Sequence, residues 1–500
     1  MTRPRTPRLD LQRHYVGGAF RESVAGGTFE TFDPTTNEAL AEVCDGREAD
    51  VDAAVRAARE AFDDGSWPRS KADERAAVLR RIAALIRGSA EQFVEREVLD
   101  IGMPVAQMHG LAERAAQNFD YYAGVVTELH GRSFQVGEEF LNYTIRKPVG
   151  VAGLIMPWNA PLMLTTWRLA PALAAGNTVV LKPAEWSPLS ATLLAEAVTE
   201  AGLPSGVFNV VHGLGETAGA PLSAHPGVDL IAFTGETTTA QKIITAGAPT
   251  LKRVSAELGG KSPVVVFADA DPESAVDAAL AQVFTMNGQR CTAGSRLLVE
   301  RPLYEQVVAA VAARARRIRV GDPFDPKTEL GPLITTEHYE RVLGFVASAV
   351  EQGARILAGG ERPPGLERGN FLQATVIADV DETMRVFQEE IFGPVLVAMP
   401  FDGEEEAVRL ANATQYGLAA YVWTSDLARA HRVAHAIETG MCWINSHNVR
   451  DLRTPFGGVK RSGIGLEGGD YAFDFYCDTE IVHVALGTGH VPRLGLGDEG

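Results

Sequence analysis

VAGLIMPWNAPLMLTTWRLAPALAAGNTVVLKPAE, residues 151–185, is the stretch that decides the fold. It opens with an apolar run, Val151–Met156, breaks at two prolines, and continues as a helix-like segment over about 162–174. Gly176-Asn177 then punctuates it before a second apolar run, Thr178–Leu181. Both short runs are apolar at successive positions rather than alternate ones. Such strands are covered on both faces, as in a parallel sheet layered with helices. Working outward, the pattern repeats. Further runs occur at Val207–Val211, Leu230–Phe233 and Arg253–Ala256, with helix-like stretches at about 188–201, 215–224 and 237–246. Sheets of this kind bind ligands at the carboxyl ends of their strands. Chemistry is therefore expected just after Met156, Leu181, Val211, Phe233 and Ala256.

A second α/β region is expected from about 258 to 450, with strands at Val264–Phe267, Leu297–Glu300, Thr375–Ala378, Val395–Met399 and Met441–Asn445. Upstream, 46–65 and 72–97 read as helices, because apolar residues recur at helical spacing between charges. Residues 131–147 read as a hairpin around Gly137-Glu138-Glu139. Met1–Arg13 is Arg-rich, carries Pro4 and Pro7, and is expected to be an irregular tail. From 476 the chain is extended and then Gly-rich.

The bulk numbers exclude several classes. A chain of 500 residues suggests two to four domains. A net charge of −18 argues against nucleic acid or an anionic membrane as partner, although a pocket can still be locally basic. Four widely spaced cysteines, Cys44, Cys291, Cys442 and Cys477, without a CxxC pair or a metal-type cluster, read as a reduced, intracellular chain with no metal site. No apolar run approaches the roughly 18 residues needed to span a bilayer, and a cytoplasmic location is expected.

Several strand-end residues suit catalysis. Cys291 lies among small residues, in Asn287-Gly288-Gln289-Arg290-Cys291-Thr292-Ala293-Gly294, with Arg290 as a cation that favours thiolate. The bland alternative is a small buried hydrophobe. Glu257, directly after the fifth run, can serve as a general base or as one half of an ion pair. Asn159, between Pro157 and Pro161, can aim its amide at an oxyanion or merely make a turn. Lys182-Pro183-Ala184-Glu185 places an acid where ribose hydroxyls would bind and a 2′-phosphate would be repelled, which favours NAD over NADP. Gly213-Leu214-Gly215-Glu216-Thr217-Ala218 fits G-x-G-x-x-A, but it follows the third run rather than the first, so it also reads as a plain tight turn.

Read together, these segments resemble the aldehyde dehydrogenase superfamily from about residue 14 to 485. The matching text is PWNAPL at 157–162, KPAE at 182–185, FTGE at 233–236, ELGGKSP at 257–263, GQRCTAGSR at 288–296, EEIFGPV at 389–395 and PFGGVKRSG at 455–463. The resemblance implies an aldehyde dehydrogenase fold and NAD-dependent oxidation of an aldehyde to an acid through a thioester on Cys291. Glu257 would activate the hydrolytic water, and Asn159 with the Cys291 backbone N–H would form the oxyanion hole. Lys182 and Glu185 would hold the adenosine ribose, and Glu390 with Phe392 the nicotinamide ribose. Met156, Pro157, Trp158, Ala184, Gly215, Phe233, Thr234, Gly235, Glu236, Leu258 and Gly259 would complete the cofactor cleft. Glu236 and Ala240 depart from the family's frequent Ser and Gly, near the expected pyrophosphate position. The implied domains are an NAD-binding domain (1–130 and 148–257), a catalytic domain (258–460) and an oligomerisation element (131–147 and 476–490), giving a dimer or a dimer of dimers.

The segment WINSHNVRDLRTPF, 443–456, resembles the hydroxymuconic semialdehyde dehydrogenase branch. That implies a carboxylate-bearing aldehyde such as 5-carboxymethyl-2-hydroxymuconate semialdehyde or 2-hydroxymuconate semialdehyde, with an aromatic aldehyde, betaine aldehyde or succinate semialdehyde as alternatives. A buried Arg is suited to hold such a carboxylate. Arg453 is the first candidate, Arg114 the second, Arg290 lies beside the thiol, and Arg450 is expected to be structural.

Overall fold

A computed structural model of the chain describes residues 8–487, 491 and 494–495. Val151–Ile155 and Thr178–Lys182 are strands buried along their whole length, joined by the helix Pro161–Ala175. Pro161 occupies the first turn of that helix, where its missing N–H costs nothing. Gly176 ends it at φ +97°, a left-handed value that favours glycine.

Phe208–Val210, Leu230–Thr234 and Arg253–Glu257 complete five parallel strands. Across the sheet the order is Arg253–Glu257, Leu230–Thr234, Val151–Ile155, Thr178–Lys182, Phe208–Val210. The chain builds outward from Val151–Ile155 in one direction, then returns to build in the other. The reversal opens a crevice at the carboxyl ends of Val151–Ile155 and Leu230–Thr234, where such sheets take their ligands. Antiparallel strands close both edges: His14–Val16 and Ala19–Arg21 on one side, Gly463–Ile464 on the other.

The second sheet has seven strands, in the order Arg355–Ala358, Thr375–Ala378, Val395–Phe401, Arg296–Glu300, Pro263–Val266, Ala419–Trp423, Met441–Ile444. All neighbours are parallel except the Arg355–Ala358 edge. Ser133–Val136, Phe140–Pro148 and Cys477–Ala485 form a separate antiparallel sheet, which contains the expected hairpin and extended tail; residues 488–490 of that tail lie outside the described residues.

Three expectations change. The 72–97 helix is two helices, Ala72–Gly88 and Ala90–Ile101, interrupted at Ser89, whose φ/ψ of −110°/17° breaks the turn after a glycine. The N-terminal tail is not irregular throughout. Residues 1–7 lie outside the described residues, but Leu9–Gln12 is a strand paired in parallel with Glu38–Cys44, a partner too distant for local reading to find. Ala419–Trp423, a fully buried strand of the second sheet, has no counterpart among the expected strands. Among the described residues, no helix is long and apolar enough to cross a membrane.

Candidate active site

Cys291 follows a backbone held in an unfavourable shape. Met286 (φ +53°), Asn287 (φ +56°) and Gly288 (φ +71°) are all left-handed. Two non-glycine residues there are costly and persist only where the surroundings over-determine them. Asn287 supplies that determination: its amide donates to Gly102 O at 2.9 Å and Pro332 O at 3.0 Å, and accepts from Gly331 N at 2.7 Å. Gly288 is required for space as well, since a Cβ would lie 2.2 Å from the Gly393 carbonyl carbon. The chain on either side of Cys291 is fixed too. Asn159 Nδ2 donates to Gln289 O at 2.9 Å, and Tyr421 Oη donates to Thr292 O at 2.8 Å.

Asn159 is buried and has spent one of its two amide N–H groups on Gln289. Glu257 ends its strand in the interior, and neither carboxylate oxygen has a hydrogen-bond partner among the described residues. Burial pushes its pKa up to about 8, against the partial opposition of Arg168 and Arg450. A base poised near neutral pH is what water activation needs. Space beside it is kept by Gly457, whose Cβ would sit 3.3 Å from Glu257 Oε1.

The thiol is held protonated. Burial pushes Cys291 up to about 12, and the negative charges of Glu390 and Glu257 add to that. Arg290 and Arg450 favour the thiolate, as the sequence suggests for Arg290, but they do not outweigh burial. Part of the reason is that the Arg290 guanidinium is turned to Gln282 O and Oε1, at 3.1 and 2.7 Å, and to Thr285 Oγ1 at 3.3 Å.

Cys291 opens on a cavity of about 380 Å³ lined by Asn159, Met163, Leu164, Trp167, Phe456 and three arginines, Arg114, Arg290 and Arg450. Among the described residues, no Asp or Glu lines it. Arg114 reaches it because Asn118, one turn along the helix Val105–Val125, donates to Met163 O (3.2 Å) and Thr166 Oγ1 (3.0 Å), tying that helix to Pro161–Ala175. The Arg114 guanidinium then lies 5.9 Å from the Trp167 ring. Arg450 stacks on the same ring at 5.2 Å and on Phe456 at 4.1 Å.

Arg453 does not line this cavity. Its side chain is 79% exposed and is bound bidentately by Asp451. Its backbone N–H also donates to Asp451 Oδ1 at 2.9 Å, so a local turn directs it onto that carboxylate. Arg450, expected to be structural, is the loop arginine that faces the thiol. Burial lowers its pKa to about 10, so it stays a cation at neutral pH.

The residues expected to hold a cofactor gather at the strand ends. Lys182, buried, pairs with Glu185 at 2.7 Å. Trp158 packs edge-on against Phe392 (5.2 Å) and His338 (5.5 Å). Phe392 itself is left-handed at φ +60°, steadied by His338 Nε2 at 2.7 Å from its carbonyl. Glu390 accepts from Gly260 N at 2.9 Å, and a Cβ on Gly259 would lie 2.1 Å from Glu390 Oε2. Only glycine admits that carboxylate. Met156, Phe233 and Leu258 are buried beneath the crevice, while Thr234 and Gly235 are half-buried at its rim and Glu236 is exposed. Gly215 begins a turn of π-helix, with Thr217 Oγ1 donating to Asp45 Oδ1 at 2.9 Å, so the G-x-G-x-x-A text serves at least as a turn. The strand-end crevice thus has two carboxylates near it, Glu185 paired with Lys182 and Glu390 held by Gly260 N.

Comparison with known proteins agrees with this geometry. A sequence model described as the aldehyde dehydrogenase family matches residues 20–482. A 5-carboxymethyl-2-hydroxymuconate semialdehyde dehydrogenase of Escherichia coli is 48% identical over 467 residues, covering 92% of this chain and 98% of the relative. The crystal structure of HpcC from Thermus thermophilus superposes with a TM-score of 0.95 at 54% identity, covering 97% of this chain and 95% of that one. An NAD+ complex of an aldehyde dehydrogenase from Bacillus cereus superposes with a TM-score of 0.93 at 42% identity, covering 95% and 97%.

Proposed function

The chain belongs to the aldehyde dehydrogenase family, and on that premise we propose that it oxidises a carboxylate-bearing semialdehyde of aromatic-compound catabolism to the acid, using NAD. The observation that carries the substrate reading is the pair Arg114 and Arg450, two guanidiniums on one indole ring in the cavity of Cys291, with no acidic residue among its described lining. A substrate carboxylate supplies the missing negative charge. The named activity of the Escherichia coli relative accords with that chemistry.

The residues divide the work. Once deprotonated, Cys291 Sγ bonds to the aldehyde carbon, and the carbonyl oxygen becomes an oxyanion. The second N–H of Asn159 Nδ2 and the Cys291 backbone N–H receive it. NAD, when bound, supplies the hydride acceptor, and loss of hydride from the carbon leaves a thioester on Cys291. Glu257 takes a proton from water as the water adds to that thioester. The C–S bond then breaks, releasing the acid and the thiolate. Splitting the oxidation this way replaces one difficult step with two easier ones. Lys182 and Glu185 bind the adenosine ribose, Glu390 the nicotinamide ribose, and the Glu185 carboxylate disfavours a 2′-phosphate.

The substrate reading predicts a ratio. With Arg114→Leu or Arg450→Leu, kcat/KM for carboxylate-bearing semialdehydes relative to uncharged aldehydes should fall about 10- to 150-fold, the worth of one charge-assisted hydrogen bond. An unchanged ratio in both variants would sink the carboxylate reading.

We also read the sheet of Val151–Ile155 as the cofactor domain, the sheet of Pro263–Val266 as the catalytic domain, and the hairpin sheet as an oligomerisation element. The hairpin sheet exposes Phe134, Val136, Phe140, Leu141, Ile145 and Ile481, the last at 59%. A three-stranded sheet that leaves this much apolar surface and its strand edges open offers a face for a second copy of the chain. Ile145→Asp with Ile481→Asp should therefore lower the mass measured by light scattering; a mass equal to that of the parent protein refutes the assignment.

A further inference from the structure

Arg450 has no hydrogen bond or ion pair among the described residues; its guanidinium lies over the rings of Trp167 and Phe456. Ring faces let a guanidinium slide, so its depth in the cavity depends on where the backbone holds residue 450. Two anchors hold that backbone. Asn445, left-handed at φ +47°, brackets Thr424: its Oδ1 accepts from Thr424 N at 3.1 Å and its Nδ2 donates to Thr424 O at 2.8 Å. Trp443 Nε1 donates to Val449 O at 3.0 Å, one residue before Arg450.

The Trp443 ring has a second contact. It stacks on Tyr421, with centroids 5.2 Å apart and planes 15° from parallel. Ala419–Trp423 and Met441–Ile444 are adjacent parallel strands, and their register sets Tyr421 beside Trp443. Tyr421, fully buried, donates its hydroxyl to Thr292 O, next to Cys291. A continuous path of contacts therefore runs from the nucleophile loop through Tyr421 and Trp443 to the loop of Arg450. A one-residue slip of a strand in that pairing would turn its ring to the opposite face.

Resting on the reading of Arg450 as a carboxylate anchor, we infer that Trp443 and Tyr421 are positioning residues that set the separation between Arg450 and Cys291 and thereby select the length of the semialdehyde. The reactive carbon must reach Cys291 while the carboxylate reaches Arg450. A fixed separation accepts one spacing between those two groups and penalises shorter and longer ones.

Trp443→Phe tests this, because it keeps an aromatic face on Tyr421 and removes the N–H to Val449. The probes are straight-chain ω-oxo carboxylic acids of increasing length, with hexanal as the uncharged reference. In the parent protein, kcat/KM should peak at one chain length. In Trp443→Phe, KM for the best oxo acid should rise about three- to tenfold more than KM for hexanal, the worth of one neutral hydrogen bond, and the length profile should flatten. Equal rises for hexanal and the oxo acids, or an unaltered profile, overturn the inference. If Arg450→Leu removes the preference for oxo acids and Trp443→Phe leaves the profile intact, the positioning role alone fails. If neither Arg450→Leu nor Arg114→Leu alters that preference, the carboxylate reading beneath it fails as well.

Discussion

Cys291→Ala is expected to abolish NADH formation from every aldehyde, by about 10⁴–10⁶ in turnover, the scale on which covalent machinery fails when its nucleophile is removed. Nothing else in the described lining of the cavity replaces the thiol. That lining offers amide, guanidinium, thioether and aromatic groups, and it includes Thr292. A threonine hydroxyl is a far weaker nucleophile without a base to activate it. The loss should be chemical rather than structural. The strained approach at Met286 and Asn287 is fixed by the Asn287 amide and the packing of Gly288, not by the sulfur. Cys291→Ala should therefore retain NAD binding by calorimetry while failing in the NADH assay. Turnover within tenfold of the parent enzyme would remove Cys291 from the mechanism.

Glu257→Gln should separate the two halves of the reaction. The first half, ending at the thioester, should proceed to about one NADH per active site. The second should slow by about 10²–10⁴, the usual worth of a positioned general base. Stopped-flow absorbance would show a burst followed by a slow steady state; a single slow phase with no burst would place Glu257 before the thioester instead. The parent enzyme should carry the same group in its pH profile. Burial raises Glu257 to about 8, and the working base is the carboxylate. Deacylation should therefore increase with pH through about 8 and level off above it. Well below that inflection it should fall about tenfold per unit, because the carboxylate fraction falls in that proportion. In Glu257→Gln the inflection should vanish from the steady-state rate.

The groups proposed for catalysis are more legible in the residues than those proposed for the substrate, and the reason is local geometry. Cys291, Glu257 and Asn159 each lie at the end of a strand, just beyond one or after a marked turn, and a strand end is visible as the close of an apolar run. Arg453 and Arg450 sit two residues and one residue from the same acid, Asp451, in an irregular loop. No periodicity tells which arginine that acid will take. The turn at Asp451 hands it Arg453, and that leaves Arg450 for the cavity. The thiol departs from expectation for a related reason. A neighbouring cation is legible in Arg290-Cys291, whereas the burial that outweighs it is not.

By itself the sequence determined the alternation of buried strands and helices and the strand ends where chemistry gathers, and it marked Cys291, Glu257 and Asn159 as candidates for nucleophile, base and oxyanion donor. These depend on residues close together in the chain, where hydrophobic periodicity and turn chemistry operate. Only the tertiary structure decided which guanidiniums face Cys291, how strongly burial holds Glu257 and the thiol protonated, and that Tyr421 and Trp443 join the nucleophile loop to the distant loop of Arg450. Those properties arise from packing between remote segments and from the low dielectric it creates, and neither is encoded in local spacing.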